Sequence, residues 1–243
     1  MFNQRIILQV NRCNSYEVQD EVVKELTNHK GKSFVGTSNV HFAHKYGVKP
    51  IGTHAHEWFM FHGARYGLKV ANSISLDRWV KVYYGDLGIA LTDTYTSDVF
   101  FGQFDKKLSK LFDGVRHDSG DPIEFGEKTI AHYERMGINP LFKTIIFSDG
   151  LNSEKVEMIT KAFKGRIGLS FGIGTDLTND TDLRPMNIVM KLTEISSIDI
   201  PWTGVVKLSD EKNKHTGTPR MIELAKEMLG LDEIPSHESP IND

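Results

Sequence analysis

The fold is decided by residues 144–164, which read TIIFSDGLNSEKVEMITKAFK. Thr144 to Phe147 form a short β-branched and aromatic run, which is typical of a buried strand. Polar Ser148-Asp149-Gly150 follows directly, and Ser153 to Lys164 then has helical period with Ser153 as the predicted cap. The apolar face of this predicted helix holds Val156, Ile159 and Phe163. The stretch therefore predicts one unit of strand, polar loop and helix.

The same unit recurs along the chain. Six short apolar runs rich in Val, Ile and Phe alternate with longer segments of helical period, which is the pattern of successive βα units. The runs are Lys32 to Gly36, Val48 to Gly52, Leu87 to Leu91, Gly114 to Val115, Thr144 to Phe147 and Ile167 to Phe171. We therefore expect an α/β fold with a parallel sheet.

Helix signals and a change of pattern near the C-terminus complete the outline. Asp121-Pro122-Ile123-Glu124 combines a capping side chain, a proline at the first helical position and a glutamate three residues after the cap, and Gly137 closes this helix. Thr218-Pro219 opens a last helix. Met186 to Glu194 and Gly204 to Ser209 are predicted as strands of a small antiparallel addition.

Composition limits the class of partner. The chain has 243 residues, of which 39% are hydrophobic and 25% charged, the balance of a globular protein. Its net charge of -3 provides no basic field for nucleic acid or an anionic membrane, so small molecules are the expected partners. The single Cys13 forms no internal disulfide, and no secretory signal or long apolar run is present, which favours the cytoplasm.

Polar residues cluster directly after five of the six predicted strands. In parallel α/β folds the carboxyl ends of the strands share one face, where helix N-termini also favour anions. The clusters are Gly36-Thr37-Ser38-Asn39, Thr53-His54-Ala55-His56-Glu57, Arg116 to Asp121, Ser148-Asp149-Gly150 and Gly172-Ile173-Gly174-Thr175-Asp176. Such residues are also ordinary turn and capping residues, but together they predict one site.

Two of these clusters suggest particular ligands. Arg116 offers a planar fork suited to a carboxylate, and Asp118 can accept ribose hydroxyls; the alternative is a buried structural ion pair between them. Gly172-Ile173-Gly174-Thr175 can cradle a phosphate with backbone amides, although it lacks the spacing of a dinucleotide fingerprint.

The pair His54 and His56 is the sharpest single signal. If the strand continues, both side chains point the same way. They suit either a metal site or a histidine nucleophile oriented by a carboxylate such as Glu57, or they are structural. A metal site needs more ligands, and His117 is the only further histidine at a later strand end, so the nucleophile is preferred and no metal ligands are assigned.

Taken together, the clusters resemble the nicotinate phosphoribosyltransferases, a family of type II phosphoribosyltransferases. Six segments match the family's motifs in order, over about residues 16 to 231. The segments are Phe34 to Val40, Gly52 to Trp58, Arg116 to Pro122, Phe147 to Asp149, Ser170 to Thr175 and Asn187 to Leu192.

The resemblance implies a barrel-like parallel sheet and a reaction. Nicotinate and phosphoribosyl pyrophosphate would give nicotinate mononucleotide and pyrophosphate, coupled to ATP hydrolysis, with Mg²⁺ accompanying the pyrophosphate. By motif position, His56 would be phosphorylated by ATP, Thr53 and Arg116 would contact nicotinate, and Thr175 would bind the phosphoribosyl substrate. The residues implied to face ribose and phosphate are Asp118, Asp149, Gly150, Gly172 and Gly174.

The N-terminus departs from the family. A family member would carry a further domain and an arginine-rich segment before Ser15, where this chain reads Asn11-Arg12-Cys13-Asn14. We therefore expect the C-terminal part of such an enzyme, divided into a divergent segment with a helix at 1–32 and a barrel domain at 33–243. If the chain is truncated, we expect the barrel to be incomplete. The resemblance implies a homodimer. The alternatives are a truncated fragment that is inactive or needs a partner, and a metal-dependent barrel hydrolase using His54 and His56.

Overall fold

The computed structural model describes residues 5–8, 15–29, 33–178, 189–211 and 214–231. In this part of the chain, seven strands form one sheet, two form a hairpin, and nine α-helices are present. The strands are β1 (Arg5–Leu8), β2 (Phe34–Thr37), β3 (Lys49–Pro50), β4 (Ile89–Leu91), β5 (Gly114–His117), β6 (Thr144–Phe147), β7 (Gly168–Ile173), β8 (Glu194–Ser197) and β9 (Ile200–Gly204). The helices are α1 (Tyr16–Asn28), α2 (Val40–Tyr46), α3 (His56–Tyr66), α4 (Ala71–Tyr83), α5 (Ser97–Gln103), α6 (Lys106–Leu111), α7 (Pro122–Arg135), α8 (Ser153–Phe163) and α9 (Pro219–Leu229).

The large sheet is parallel throughout, in the order β3-β2-β1-β7-β6-β5-β4. All six predicted runs are strands, β2 to β7, and β6 has the predicted bounds Thr144–Phe147. The run predicted at Gly114 to Val115 is β5, which extends two residues further, to His117, because it pairs with both β4 and β6. The expected α/β fold is confirmed.

The sheet contains one strand that the sequence did not predict. β1 lies between β2 and β7 and pairs in parallel with both. The domain boundary that the sequence analysis placed at residue 33 therefore separates β1 from the sheet to which β1 belongs. Its run of three apolar residues, Ile6 to Leu8, is too short to stand out without its neighbours.

The sheet curls on itself. β5 is next to one end of the strand order, and Thr53 follows β3 at the other end. Nevertheless Arg116 on β5 donates a hydrogen bond from Nη1 to Oγ1 of Thr53 over 2.7 Å. Only a curved sheet brings these two positions together, so the barrel-like expectation is confirmed.

The helix caps agree with the sequence at two places and differ at a third. Asp121 Oδ1 accepts from the backbone N–H groups of Ile123 and Glu124 at the start of α7, and Thr218 caps α9 as predicted. α8 is capped by Asn152, whose Oδ1 accepts from the N–H of Lys155, and not by Ser153. The polar loop between β6 and α8 is therefore one residue shorter than a Ser153 cap would require.

The antiparallel addition is present, but at other positions. β8 and β9 occupy Glu194–Ser197 and Ile200–Gly204, between the two predicted runs. Met186, the predicted start, lies outside the described residues, and residues 205–209 pair with Lys214–Arg220 only through one bridge, Lys207 to Thr216. Asp199 lies in the turn between β8 and β9, and its carboxylate binds Arg65 of α3, a contact that the sequence pattern does not reveal. No described helix is long and apolar enough to cross a membrane.

Candidate active site

The centre of the site is the imidazole of His56, the first residue of α3. Its Nδ1 lies 3.1 Å from Thr94 Oγ1, and its Nε2 lies 3.0 Å from Asp118 Oδ2 and 3.8 Å from Asp93 Oδ1. Both ring nitrogens therefore have polar neighbours, which hold the ring in one orientation. The residues that orient it are Thr94 and Asp118, whereas the sequence suggested Glu57.

Arg116 connects three of the strand-end loops. Its Nε donates to Ser148 Oγ over 2.8 Å, its Nη1 to Thr53 Oγ1 over 2.7 Å, and its Nη2 to Asp118 Oδ1 over 2.6 Å. The ion pair between Arg116 and Asp118, which the sequence offered as an alternative to ligand binding, is thus present. It is about one-fifth exposed, so it is largely shielded from solvent.

Asp118 is held in its ionised form. Burial alone would raise its pKa, but the hydrogen bond from His56, the charge of Arg116 and the Ser148 hydroxyl outweigh burial and hold the pKa of Asp118 well below its usual range. Near pH 7 the Asp118 carboxylate is therefore ionised and acts only as a hydrogen-bond acceptor.

A cavity of about 370 Å³ opens beside Arg116, on the concave side of the sheet. This volume is in the range of small-molecule sites. Its walls include Ile7, Ser38, Thr53, Arg116, Ile146 and Gly172. One cationic side chain among mainly apolar and backbone groups suits a small planar anion.

The side chain of His54 lies apart from that of His56, although the His54 carbonyl accepts a hydrogen bond from Arg116. Its ring is 1% exposed and packs against Trp79 and Phe59, with centroids 4.2 and 5.4 Å away, while its Nδ1 accepts from the N–H of Leu91. β3 ends at Pro50 and α3 begins at His56, so the strand alternation that would align the two histidines is absent. The expectation that both point the same way is wrong, and with it the hydrolase built on this pair.

His54 predicts a measurable acid sensitivity. Burial, and then the charge of Arg116, lowers the pKa of His54 to about 3. Between pH 3 and about 6.5 the unfolded chain binds a proton here that the folded chain does not, so stability is lost as the pH falls through this window. We expect His54→Gln to reduce the slope of unfolding free energy against pH by up to about 1.4 kcal/mol per pH unit.

Urea unfolding between pH 4 and 6.5 measures this slope. His44→Gln, an exposed histidine on α2, is the matched control and should follow the unchanged chain. Burial raises the pKa of Asp210 to about 6, which changes the slope of unfolding free energy against pH in the opposite direction. This contribution is the same in all three proteins, so it cancels in the comparison. Parallel slopes for His54→Gln and the unchanged chain would show that His54 does not titrate as the structure requires.

The other predicted residues lie around the rim. Asp149 pairs with Lys214 Nζ over 2.8 Å, and the Gly150 carbonyl accepts from Lys155. Gly172 lies in the cavity wall, and Gly174 precedes a short 3₁₀ helix that begins at exposed Thr175. The structure therefore separates an inner group of Thr53, His56, Arg116 and Asp118 from an outer group, Asp149, Gly150, Gly174 and Thr175, on the loops after β6 and β7. Gly172, within β7, lines the cavity together with Thr53 and Arg116.

Several site residues were missed from the sequence. Thr92, Asp93 and Thr94 directly follow β4 and obey the same strand-end rule as the other clusters, so the pattern could have found them. Lys207 and Ser209 reach the site from more than 100 residues away, and both are nearly fully buried there. No local pattern marks the latter two.

Three side chains, one of which is His56 itself, could hold a cation. Ligand atoms of His56, Asp93 and Asp118 lie within 4.8 Å of one another. Asp93 is 1% exposed, and its Oδ1 has no hydrogen-bond partner among the described residues although it faces the ring. Carboxylate oxygens are the ligands Mg²⁺ prefers.

The parallel strands curl around a cavity of the size of a small anion, and polar groups lie at the carboxyl ends of the strands. These features place the chain among the barrel-like α/β enzymes. Residues 9–233 match the model of the nicotinate phosphoribosyltransferase (NAPRTase) family, and the chain belongs to this family. It is 63% identical over 220 residues to a nicotinate phosphoribosyltransferase of Chromohalobacter salexigens, covering 90% of this chain and 56% of that protein.

Solved structures agree. The crystal structure of a nicotinate phosphoribosyltransferase from Porphyromonas gingivalis has a TM-score of 0.89 at 49% identity, covering 93% of this chain and 59% of that one. The corresponding structure from Vibrio cholerae has a TM-score of 0.87 at 38% identity, covering 96% and 57%. The chain thus spans somewhat more than half the length of the relatives it matches.

Proposed function

We propose that the chain carries the catalytic barrel of a nicotinate phosphoribosyltransferase, which converts nicotinate, phosphoribosyl pyrophosphate, ATP and water into nicotinate mononucleotide, pyrophosphate, ADP and phosphate. The observation that carries this proposal is the ring of His56, held between Thr94 and Asp118 next to a cavity containing Arg116. The family and the relatives' printed names support it.

Nicotinate fits the cavity beside Arg116. The guanidinium has five N–H donors, and the structure assigns the Nε, both Nη1 donors and one Nη2 donor to protein oxygens. The remaining Nη2 donor and the hydroxyl of Thr53 can meet the nicotinate carboxylate. A planar anion is favoured over an uncharged amide because the cavity presents a cation to it.

His56 is the proposed phosphoryl acceptor. Because Asp118 stays ionised, its carboxylate accepts a hydrogen bond from the N–H of Nε2, which places the lone pair of the neutral imidazole on Nδ1, beside Thr94 Oγ1. Nδ1 then attacks the γ-phosphorus of ATP, the bond to the bridging oxygen breaks, and ADP leaves with the electron pair. Water later cleaves the N–P bond and releases phosphate.

In the transfer step the ring nitrogen of nicotinate forms a bond to the anomeric carbon and pyrophosphate departs. Asp93 and Asp118 fit Mg²⁺, because the buried, unpartnered Oδ1 of Asp93 offers an anionic oxygen at the site. The ion would neutralise charge on the departing pyrophosphate. Asp149, Gly150, Gly172, Gly174 and Thr175 are proposed to bind ribose and phosphate from the rim.

We further propose that the working protein is a cytoplasmic homodimer. The single cysteine and the low net charge support the compartment. The chain spans about half the length of its relatives, and the other possibility is that a partner subunit completes the cavity. Partner dependence is therefore the second candidate.

Product formation tests the proposal. The chain is incubated with nicotinate and phosphoribosyl pyrophosphate, with and without ATP and Mg²⁺, and nicotinamide replaces nicotinate in a parallel reaction. We expect nicotinate mononucleotide, more of it with ATP, and little product from nicotinamide. If a folded chain makes no product alone but does so with a full-length relative whose own histidine is replaced, partner dependence is correct; no product in either case would contradict the proposed function.

A further inference from the structure

The site is crossed by a buried segment that the proposed reaction does not use. Residues 205–211, which we call the strap, run from the end of β9 across the carboxyl ends of β4 and β5. Val205, Val206 and Leu208 are each 1% exposed, so the strap is packed into the molecule. Its polar groups then contact the loops that surround His56.

The strap binds the loop after β4 at both ends. The backbone N–H of Leu208 donates to the carbonyl of Thr94 over 2.7 Å. The carboxylate of Asp210 accepts from the N–H of Ser97 over 2.7 Å and from its hydroxyl over 2.5 Å. Thr94, whose hydroxyl meets Nδ1 of His56, is therefore held by the strap through its own backbone.

The strap also reaches the carboxylate that faces the other side of the ring. Ser119 Oγ donates to Asp93 Oδ2 over 2.6 Å, and the N–H of Asp210 and the hydroxyl of Ser209 both contact Ser119 Oγ, at 3.1 and 2.9 Å. Lys207 Nζ lies 3.6 Å from the same Asp93 oxygen. With Oδ2 held in this way, Oδ1 of Asp93 is directed toward His56.

Both sides of the contact adopt an unfavourable backbone conformation. Thr96 has a φ of 78° and Ser209 a φ of 61°, in the left-handed region that side chains other than glycine rarely adopt. Such conformations persist only when surrounding contacts determine them, and they cluster at functional sites. Asp210 bonds to the residue after Thr96 and itself follows Ser209, so it joins the two strained positions.

We propose that Asp210, together with Ser209, is a positioning residue for His56. On the Nδ1 side of the ring, the Asp210 carboxylate fixes Ser97 at the end of the loop that carries Thr94. On the Nε2 side, the Asp210 N–H and the Ser209 hydroxyl hold Ser119, which binds Asp93. It touches neither substrate nor the reacting atoms. Its catalytic consequence rests on the proposed function, whereas its effect on the ring does not.

Nitrogen-15 spectra of the imidazole groups test the effect on the ring. The chain has ten histidines, and the His56 signals are identified by their absence from His56→Ala. Asp210→Ala removes both acceptors for Ser97, so the Nδ1 and Nε2 signals of His56 should move. Asp210→Asn keeps the shape and one acceptor for the Ser97 N–H, so its His56 signals should stay near those of the unchanged chain.

Two further variants keep the test decisive. Asp77→Ala breaks an exposed ion pair with Lys107 and should leave the His56 signals in place. Ser209→Ala removes one hydroxyl and should move them in the same direction as Asp210→Ala but less, and it replaces Asp210→Ala if that variant does not fold. His56 signals that coincide with those of the unchanged chain in both folded variants would overturn the inference.

Turnover separates this inference from the proposed function. For Asp210→Ala we expect kcat to fall about 10²-fold with the KM for nicotinate little changed, the size of effect that a displacement near 1 Å produces. Asp210→Asn should recover most of this loss. If the unchanged chain makes no product while the His56 signals still move in Asp210→Ala, the positioning role stands and the proposed function fails.

Discussion

Arg116→Leu is expected to lower the free energy of unfolding by about 3–5 kcal/mol and to remove product formation. The substitution leaves Asp118 buried without its cationic partner, and it removes the hydrogen bonds to Thr53 and Ser148 that join three strand-end loops. An uncompensated buried charge is far more costly than the pair itself is stabilising. Urea unfolding at pH 7 measures the loss.

A double variant distinguishes charge from packing. Arg116→Leu with Asp118→Leu removes both charges and should regain most of the stability, because no unpaired ion is left, but it should remain inactive. If Arg116→Leu alone unfolds at the same urea concentration as the unchanged chain, the ion pair is not buried as described.

His56→Ala is expected to reduce the ATP-stimulated formation of nicotinate mononucleotide on the order of 10³-fold or more, the range seen when a nucleophile is removed from a coupled group. The ring is only partly buried and lies at the helix N-terminus, so the fold should be retained. His44→Ala, on the exposed side of α2, is the control and should keep full turnover. Equal turnover in the two variants would exclude His56 from the chemistry.

The strand-end pattern correctly predicted that polar clusters converge, because parallel strands direct the clusters at their carboxyl ends to one face. Thr53 and His56, which follow β3, meet Arg116 and Asp118 from the end of β5 in one hydrogen-bonded group, as the pattern indicated. That success depends on local signals, namely a short apolar run followed at once by polar residues.

The failures have a common physical origin. His54 and His56 were expected to point together, but the side chains diverge because the strand ends before them and a helix starts at His56. The strap was not predicted because Ser209 and Asp210 meet Ser119 and Ser97 across 90 to 113 residues of sequence. Contacts of this kind depend on tertiary packing, which single-sequence periodicity does not contain.

The proposed chemistry depends on the imidazole of His56, which would accept the γ-phosphoryl group of ATP. The most direct measurement is transfer of labelled γ-phosphate to the purified chain, followed by mapping of the acid-labile phosphate by mass spectrometry under alkaline conditions. We expect label on His56, removed by mild acid, and none on His56→Ala. A folded chain that binds ATP but carries no phosphate on His56, or carries it on another residue, would contradict the account.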